Sequence, residues 1–360
     1  MKRLEGRATM TDVAKLAGVS QTTVSFVLNN VSGTNISKET RAKVMSAVKD
    51  LSYRGYSTFY NLNDSQTHLI GFLTDEIGTS PFGGDTLKSA QEVAWASNKM
   101  LVLINTAGLK KVEEEAIDAL IKRQVEGIVY AAMFTRRVIP PKILHTVPTV
   151  LMNCYDPEHK FSSVTPNEIE GGKTATDTLI KVGHKRIALI NGEPWMDAAR
   201  DRLTGYMKSL EKHRITPDPS LIRFGNWRSD SGYDHTMSLM QLNSPPTAIF
   251  CGNDLVAIGA YEALKELGKK IPEDVSVIGY DNQEHLAVYM RPSLSTIALP
   301  HYEMGQWAMN TLLERISRCN QSPIIQEKLT CPYIPRESID VRFSQANTEE
   351  VVTKEKKNPI

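Results

Sequence analysis

"MTDVAKLAGVSQTTVSFVLNN", residues 10–30, holds two short segments of apolar periodicity separated by a glycine. Thr11 is placed to cap a helix over "DVAKLA", Gly18 breaks it, and Ser20 is placed to cap a second helix. In that second helix Val24, Val27 and Leu28 recur at three- and four-residue intervals and give it one apolar side. Its other side carries Gln21, Thr22 and Ser25, and also the aromatic Phe26, one turn on from Thr22. Ser37 can cap a third helix, "KETRAKVMSAVKDL", made amphipathic by Val44, Ala47, Val48 and Leu51, so three helices can share a small core. A weaker fourth helix is expected at Ser57 to Asn63, followed by the turn-rich linker "NDSQTH".

Two helices joined at a glycine, the second with a small polar outer face, make a helix-turn-helix. Ser, Thr, Gln and Asn suit a major groove because they offer hydrogen bonds to base edges and phosphates without bulk. The spacing alone fits an ordinary surface helical hairpin equally well. Charge leans toward a polyanion partner: residues 1–62 hold nine basic groups against four acidic ones, although the whole chain carries only +1.

Beyond His68 the texture changes to apolar strands alternating with amphipathic helices. The strand candidates are "LIGFL", "MLVLI", "GIVYA" and "TVLM", then "RIALIN", "LIRF", "TAIFC" and "VSVIGY", with helical stretches such as Asp85 to Asn98 and Glu113 to Lys122 between them. Short, nearly continuous apolar strands separated by helices argue for parallel sheets covered on both faces. The series restarts after Pro166, so the fold class expected is a small all-α helix-turn-helix headpiece plus an α/β core of two doubly wound parallel-sheet subdomains. Ligands of such folds meet the carboxyl ends of the strands.

The 360 residues, 41% hydrophobic and 23% charged, are enough for more than one domain. There is no apolar run near the roughly 20 residues that cross a bilayer, and no apolar segment behind the basic N-terminus, so a cytoplasmic location is expected. Cys154, Cys251, Cys319 and Cys331 lie far apart and read as reduced, buried thiols. No Gly-rich phosphate loop, H-E-x-x-H or G-x-S-x-G is present, and the histidines stand apart from cysteines and carboxylates at metal spacing. No enzyme activity, cofactor or metal is therefore expected.

The stretch quoted first, followed by "ISKETRAKVMSAVKDLSY", closely resembles the headpiece of the lac repressor family of bacterial transcription regulators. The likeness continues through "HLIGFL", "VGHKRIALING", "RLTGY", "AIFCGNDLVAIGAYEAL" and "IPEDVSVIGYDN", nearly to Arg342. It implies a homodimer on double-stranded operator DNA and a periplasmic-binding-protein-like core that senses a small molecule, most often a sugar or nucleoside. The implied boundaries are 1–56 for the headpiece, 57–67 for hinge helix and linker, 68–342 for the effector-binding and dimerisation core, and 343–360 for a disordered tail. Within the core an N-subdomain is expected at about 68–166 and 298–325, and a C-subdomain at about 167–297 and 326–342.

By this resemblance Ser20, Gln21, Thr22, Ser25 and Asn29 contact DNA, with Thr11, Phe26, Tyr53 and Leu62 as further candidates, Leu62 as a wedge in the minor groove. The effector candidates are Phe82 after the first strand, Asn153, Arg202 of "RLTGY", Trp227, Asn253 of "GND" and Asp281 of "GYD". An arginine, an aspartate, asparagines and aromatic faces suit a sugar, which presents hydroxyls at its edge and C–H patches on its faces. Without the resemblance, Asp281 reads as a helix cap, Arg202 as a surface ion pair and Trp227 as plain core.

Phe26 departs from the family, many members of which have an arginine there. A phenyl ring cannot donate to guanine but can pack on a thymine methyl; alternatively it folds back on the hinge. The hinge "YRGYSTFYNL" keeps Tyr53 and Leu62 but places Gly55, Tyr56 and Phe59 at unusual positions. The competing functions are a solute-binding protein without a DNA role and an enzyme on a doubly wound fold, disfavoured by the basic head and by the missing catalytic motifs respectively.

Overall fold

A computed structural model describes residues 8–28, 31, 36–51, 53, 67–79, 83–318 and 320–340. The expected fourth helix, the tail at 343–360, Cys319 and the candidates Asn29, Leu62 and Phe82 lie outside the described residues. The chain divides into two compact units between His68 and Leu69.

The first unit holds helices α1 (Met10–Ala17), α2 (Gln21–Leu28) and α3 (Lys38–Asp50). Val13, Ala14, Val24, Val27, Val44 and Ala47 form its buried core. The cap of α1 is Thr9, not Thr11: the Thr9 hydroxyl accepts the Asp12 N–H while the Asp12 carboxylate accepts the Thr9 N–H, a capping box that begins the helix two residues early. Thr11 is an exposed first-turn residue. Gly18 ends α1 with φ +64°, a left-handed conformation that costs glycine nothing, and its N–H reaches back to the α1 carbonyls. Ser20 and Ser37 accept the N–H groups of Thr23 and Thr40 and start α2 and α3 as expected.

The second unit runs β1 (Leu69–Thr74), α4 (Gly83–Ala96), β2 (Met100–Asn105), α5 (Lys110–Lys122), β3 (Gly127–Arg137), β4 (Thr149–Tyr155), β5 (Ser162–Pro166), α6 (Glu168–Lys181), β6 (Ile187–Asn191), α7 (Asp197–Lys212), β7 (Ile222–Phe224), α8 (Ser229–Met240), β8 (Ala248–Cys251), α9 (Asp254–Glu266), β9 (Ser276–Asp281), α10 (Glu284–Ala287), β10 (Ser295–Ala298), α11 (His301–Ser317), β11 (Gln326–Leu329) and β12 (Tyr333–Ile334). One sheet has the order β11-β5-β4-β3-β1-β2 and the other β12-β10-β9-β8-β6-β7, parallel throughout except for the β10–β12 pair. The chain passes between the sheets after β5, after β10 and after β11.

The third passage corrects one boundary. Gln326–Leu329 pairs in parallel with Ser162–Pro166 in the first sheet, so the return to the second sheet occurs near residue 330 rather than 326. Helix α11 belongs with the first sheet as well: Met304, Ala308, Met309 and Leu312 are buried with Ile70, Phe72, Val129 and Val150. Four strands, β5, β10, β11 and β12, were absent from the apolar runs because their residues are short, polar or at a sheet edge. The buried Ser163, whose hydroxyl donates to Gln326 Oε1 at 2.6 Å, illustrates the point. No helix among the described residues is long and apolar enough to cross a membrane.

Candidate functional site

In the first unit, burial of Val24 and Val27 turns the opposite side of α2 outward, where Gln21 and Thr22 are exposed and Phe26 is 38% exposed. Ser25 is half-buried between the two sides. The Ser20 hydroxyl also lies 2.8 Å from Thr23 Oγ1, so it is engaged at the helix start. Tyr53 packs against the three-helix core and donates its N–H to the Val48 carbonyl at 2.9 Å. That makes it part of the headpiece interior as much as a candidate contact. The outward Phe26 stands one turn on from Thr22, and residues 54–62 of the hinge it would fold onto lie outside the described residues.

In the second unit, a cavity of about 190 Å³ lies between the two sheets. It is lined by Asn153, Arg202, Trp227, Asn253 and Asp281, residues scattered over nearly 130 positions and brought to the carboxyl ends of β4, β7, β8 and β9 and the first half of α7. At about 15 Å³ per water-sized group this space holds on the order of ten such groups.

Arg202 is the centre of the site. It is 3% exposed. Its Nε and Nη2 donate to Glu168 Oε2 and Oε1, both at 2.9 Å, its Nη1 donates to the Gly252 carbonyl, and its guanidinium lies 3.6 Å above the Tyr280 ring. The pair forms because α6 and α7 approach closely: a side chain on Gly172 would strike the Arg202 backbone at 2.4 Å, and one on Gly205 would strike the Ile169 carbonyl at 2.2 Å. Glu168, absent from the residues singled out in the sequence, thereby becomes the arginine's principal partner. The "EIEGG" glycine pair was the available signal. Burial alone would lower the Arg202 pKa, but Glu168 and its other neighbours hold it above the usual value.

Asp281 is less well compensated. Its Oδ1 lies 3.7 Å from Arg202 Nη2, outside hydrogen-bond range, and its backbone has φ +100°, a strained conformation for a residue with a Cβ. Burial, with Asp254 and Glu168 nearby, pushes its carboxyl well above the ordinary range in spite of Arg202. It caps no helix, since Gln283 stands at the start of α10.

The remaining candidates support the cavity's walls. Asn153 Nδ2 donates to the Ala132 and Met133 carbonyls at 3.1 and 3.0 Å, and its Oδ1 accepts from Thr135 at 2.7 Å, holding the bulge in β3. Asn253 caps α9 through Val256 N–H and donates to the Trp227 carbonyl at 3.0 Å. The Trp227 ring lies against Gly192, where no side chain would fit, and its Nε1 points to Met196 Sδ. Met133, Met196, Met304, Leu299 and Phe134 make most of the wall apolar, and none of them was predicted. His301 also lines the cavity; burial lowers its pKa to about 4, so it is neutral at pH 7. Near the cavity, Phe134 meets Trp195 edge-on at 5.9 Å and Tyr155 donates to Asp197 at 2.9 Å, joining the two halves.

Residues 9–55 match the model of the bacterial regulatory proteins of the lacI family, and residues 176–339 match the periplasmic binding protein-like domain. The chain is 34% identical over 315 residues to the ribose operon repressor of Haemophilus influenzae, covering 88% of this chain and 94% of that protein. It is 35% identical over 311 residues to the HTH-type transcriptional repressor PurR of Vibrio atlanticus, covering 86% and 92%. Among solved structures it is similar to the lac repressor dimer bound to operator and the anti-inducer ONPF, with TM-score 0.73 and 26% identity over 92% of this chain and 99% of that one. It is also similar to a transcriptional regulator CelR–cellobiose complex, with TM-score 0.64 and 27% identity over 92% and 100%.

Proposed function

The chain belongs to the lacI family of bacterial regulatory proteins, and from that membership we propose a ligand-responsive transcriptional repressor that binds a palindromic operator as a homodimer and senses a small polar molecule, a sugar. The observation that carries the sensing role is the convergence of Arg202, Asp281, Asn253, Asn153 and Trp227 on one cavity between two sheets. A molecule held there touches both halves of the core, so it favours whichever arrangement of the halves it fits better. DNA affinity and ligand affinity then change each other by the same factor.

The exposed polar side of α2 and the basic residues around it supply the DNA face, with Gln21 and Thr22 reading bases and groups such as Lys15 and Arg41 near phosphates. One headpiece reads a half-site, so a palindrome needs two. Trp95, Met100 and Leu103, which are 67, 55 and 42% exposed around the edge strand β2, offer an apolar surface for the second copy. Sedimentation of the purified protein at micromolar concentration should give a dimer; a monomer would remove this part of the reading.

The sensing role is tested by a thermal-shift screen of mono- and disaccharides, nucleosides and phosphorylated sugars, since a ligand raises stability by RT ln(1 + [L]/Kd). Operator affinity is then measured with and without the best compound. A nucleoside as sole hit would replace the sugar, and a hit without effect on operator binding would refute the switch.

A further inference from the structure

Resting on the effector-site reading above, we infer that Glu168 sets the charge class of the ligand: by occupying Arg202 with both its oxygens it makes the site one for uncharged or cationic molecules and closes it to carboxylates and phosphates. An arginine facing a cavity is ordinarily the group that captures an anion, because its planar fork matches a carboxylate or phosphate with two parallel hydrogen bonds. Here the Nε–Nη2 edge of that fork is already filled. Nε and one Nη2 hydrogen go to Glu168 at 2.9 Å each, and Nη1 goes to the Gly252 carbonyl. Of the five N–H groups only two remain, one on each terminal nitrogen.

The charge balance agrees with the geometry. Among the described residues lining the cavity, Arg202 is the sole arginine or lysine, and it faces two carboxylates, Glu168 and Asp281. His301 contributes no positive charge near neutral pH. An anion entering the cavity meets either a net negative site or, with Asp281 protonated, a neutral one. Arg136, on β3 near the cavity residues Phe134 and Thr135, is paired with Asp75 at 2.8 Å and lies over the Phe134 ring. An uncharged polyol, by contrast, can donate hydroxyls to Asp281 and accept from the two remaining Arg202 hydrogens. An ammonium group can sit beside Asp281 against the Trp227 face.

The experiment compares thermal shifts of the full chain, wild type and Glu168→Gln, with three molecules of one ring and different charge, glucose, glucosamine and glucuronate, and with inorganic phosphate. Any anion bound at the basic headpiece is common to both proteins and cancels in the comparison. For wild type, neither glucuronate nor phosphate should give a saturable shift beyond that of the full-length double variant Glu168→Gln, Arg202→Gln, which keeps the headpiece. In Glu168→Gln the fork is freed, and glucuronate or phosphate should bind roughly tenfold or more tighter than to wild type. An anion that stabilises wild type through Arg202, or a folded Glu168→Gln protein with no gain for anions, overturns the inference. If Glu168→Gln does not fold, the wild-type series decides: a glucuronate shift equal to or above that of glucose and glucosamine refutes it, and anion-free binding supports it. Each of these failures leaves the sensing role itself standing, because that is read separately from operator affinity.

Discussion

On α2 the polar groups face outward, with Gln21 and Thr22 exposed on a helix whose apolar side alone is packed. In the cleft the polar groups face one another: Asn153, Asn253 and Arg202 each spend hydrogen bonds on the protein before any ligand arrives. The first arrangement suits a partner that brings its own charges, such as DNA, because little has to be broken to meet it. The second suits discrimination, since a ligand must match groups already fixed in direction. It also stores cost, in the buried carboxylates of Glu168 and Asp254 and the nearly covered one of Asp281, near one another.

The largest effect that tests this contrast is removal of the exposed face. A chain beginning at Gln66 should lose operator affinity by about 1000-fold or more, while ligand binding measured by thermal shift persists. In the full chain, raising salt from 50 to 200 mM should weaken operator binding by about 1000-fold if about six phosphates are touched, and leave the affinity for an uncharged sugar of the kind proposed nearly unchanged because the cleft is buried. Equal salt sensitivity of both affinities would break the comparison.

The stored cost is read at Asp254. Its carboxylate accepts Gln283 N–H and the Thr296 hydroxyl, both at 2.7 Å, yet burial lifts its pKa to about 6 from an ordinary 3.8. The folded protein therefore holds a proton that the unfolded chain has released, so stability falls as pH rises from about 4 to about 6, and the loss persists above that. Asp254→Asn can keep one accepted and one donated hydrogen bond without the charge. It should be more stable than wild type at pH 7.5, by up to about 3 kcal/mol for a shift of about two units, and the advantage should vanish toward pH 4. Denaturant midpoints at both pH values check it; a variant less stable at pH 7.5 would mean the charge is well compensated.

At Asp281 the expected effect is on coupling. The φ of +100° makes alanine a poor replacement, so asparagine, which tolerates such a backbone better, isolates the charge. Asp281→Asn should lose most of the ligand's effect on operator affinity, typically worth about 1–3 kcal/mol, and keep ligand-free operator binding. A variant that responds fully to ligand would remove Asp281 from the site.

What the sequence disclosed follows the same division. Strands such as β1, β4 and β9 were legible because burial on both faces demands apolar runs, and α2 because one face of a helix is a local pattern. Strands β5 and β11 were not, since Ser163 donates to Gln326 and Ser162 accepts the Ile325 N–H, both across more than 160 residues. Arg202, Trp227, Asn253 and Asp281 were named through a resemblance, but their local sequence said nothing about Glu168. That partnership depends on two helices approaching through Gly172 and Gly205. Thr9 and Thr11 both stand just ahead of the apolar run that starts at Val13, and only Asp12, three after Thr9, completes the reciprocal pair that decides between them.

Phe26 is the smallest expected effect and the sharpest test of the outward face. It is 38% exposed and one turn from the exposed Thr22, at the position where the family resemblance puts an arginine in many members. If the ring meets DNA, it reads a thymine methyl by contact, which discriminates weakly. Phe26→Arg should then shift the preferred base at one symmetric operator position toward guanine, by roughly 1 kcal/mol per half-site, the low end for a bidentate contact on a partly packed side chain. Headpiece stability should change little, because Val24 and Val27, not Phe26, fill the core. Selection from a randomised operator, run on both proteins at the same salt, gives the answer. A changed base at that position places Phe26 on the DNA, whereas an unchanged preference with a lower melting temperature assigns the ring to packing within the protein.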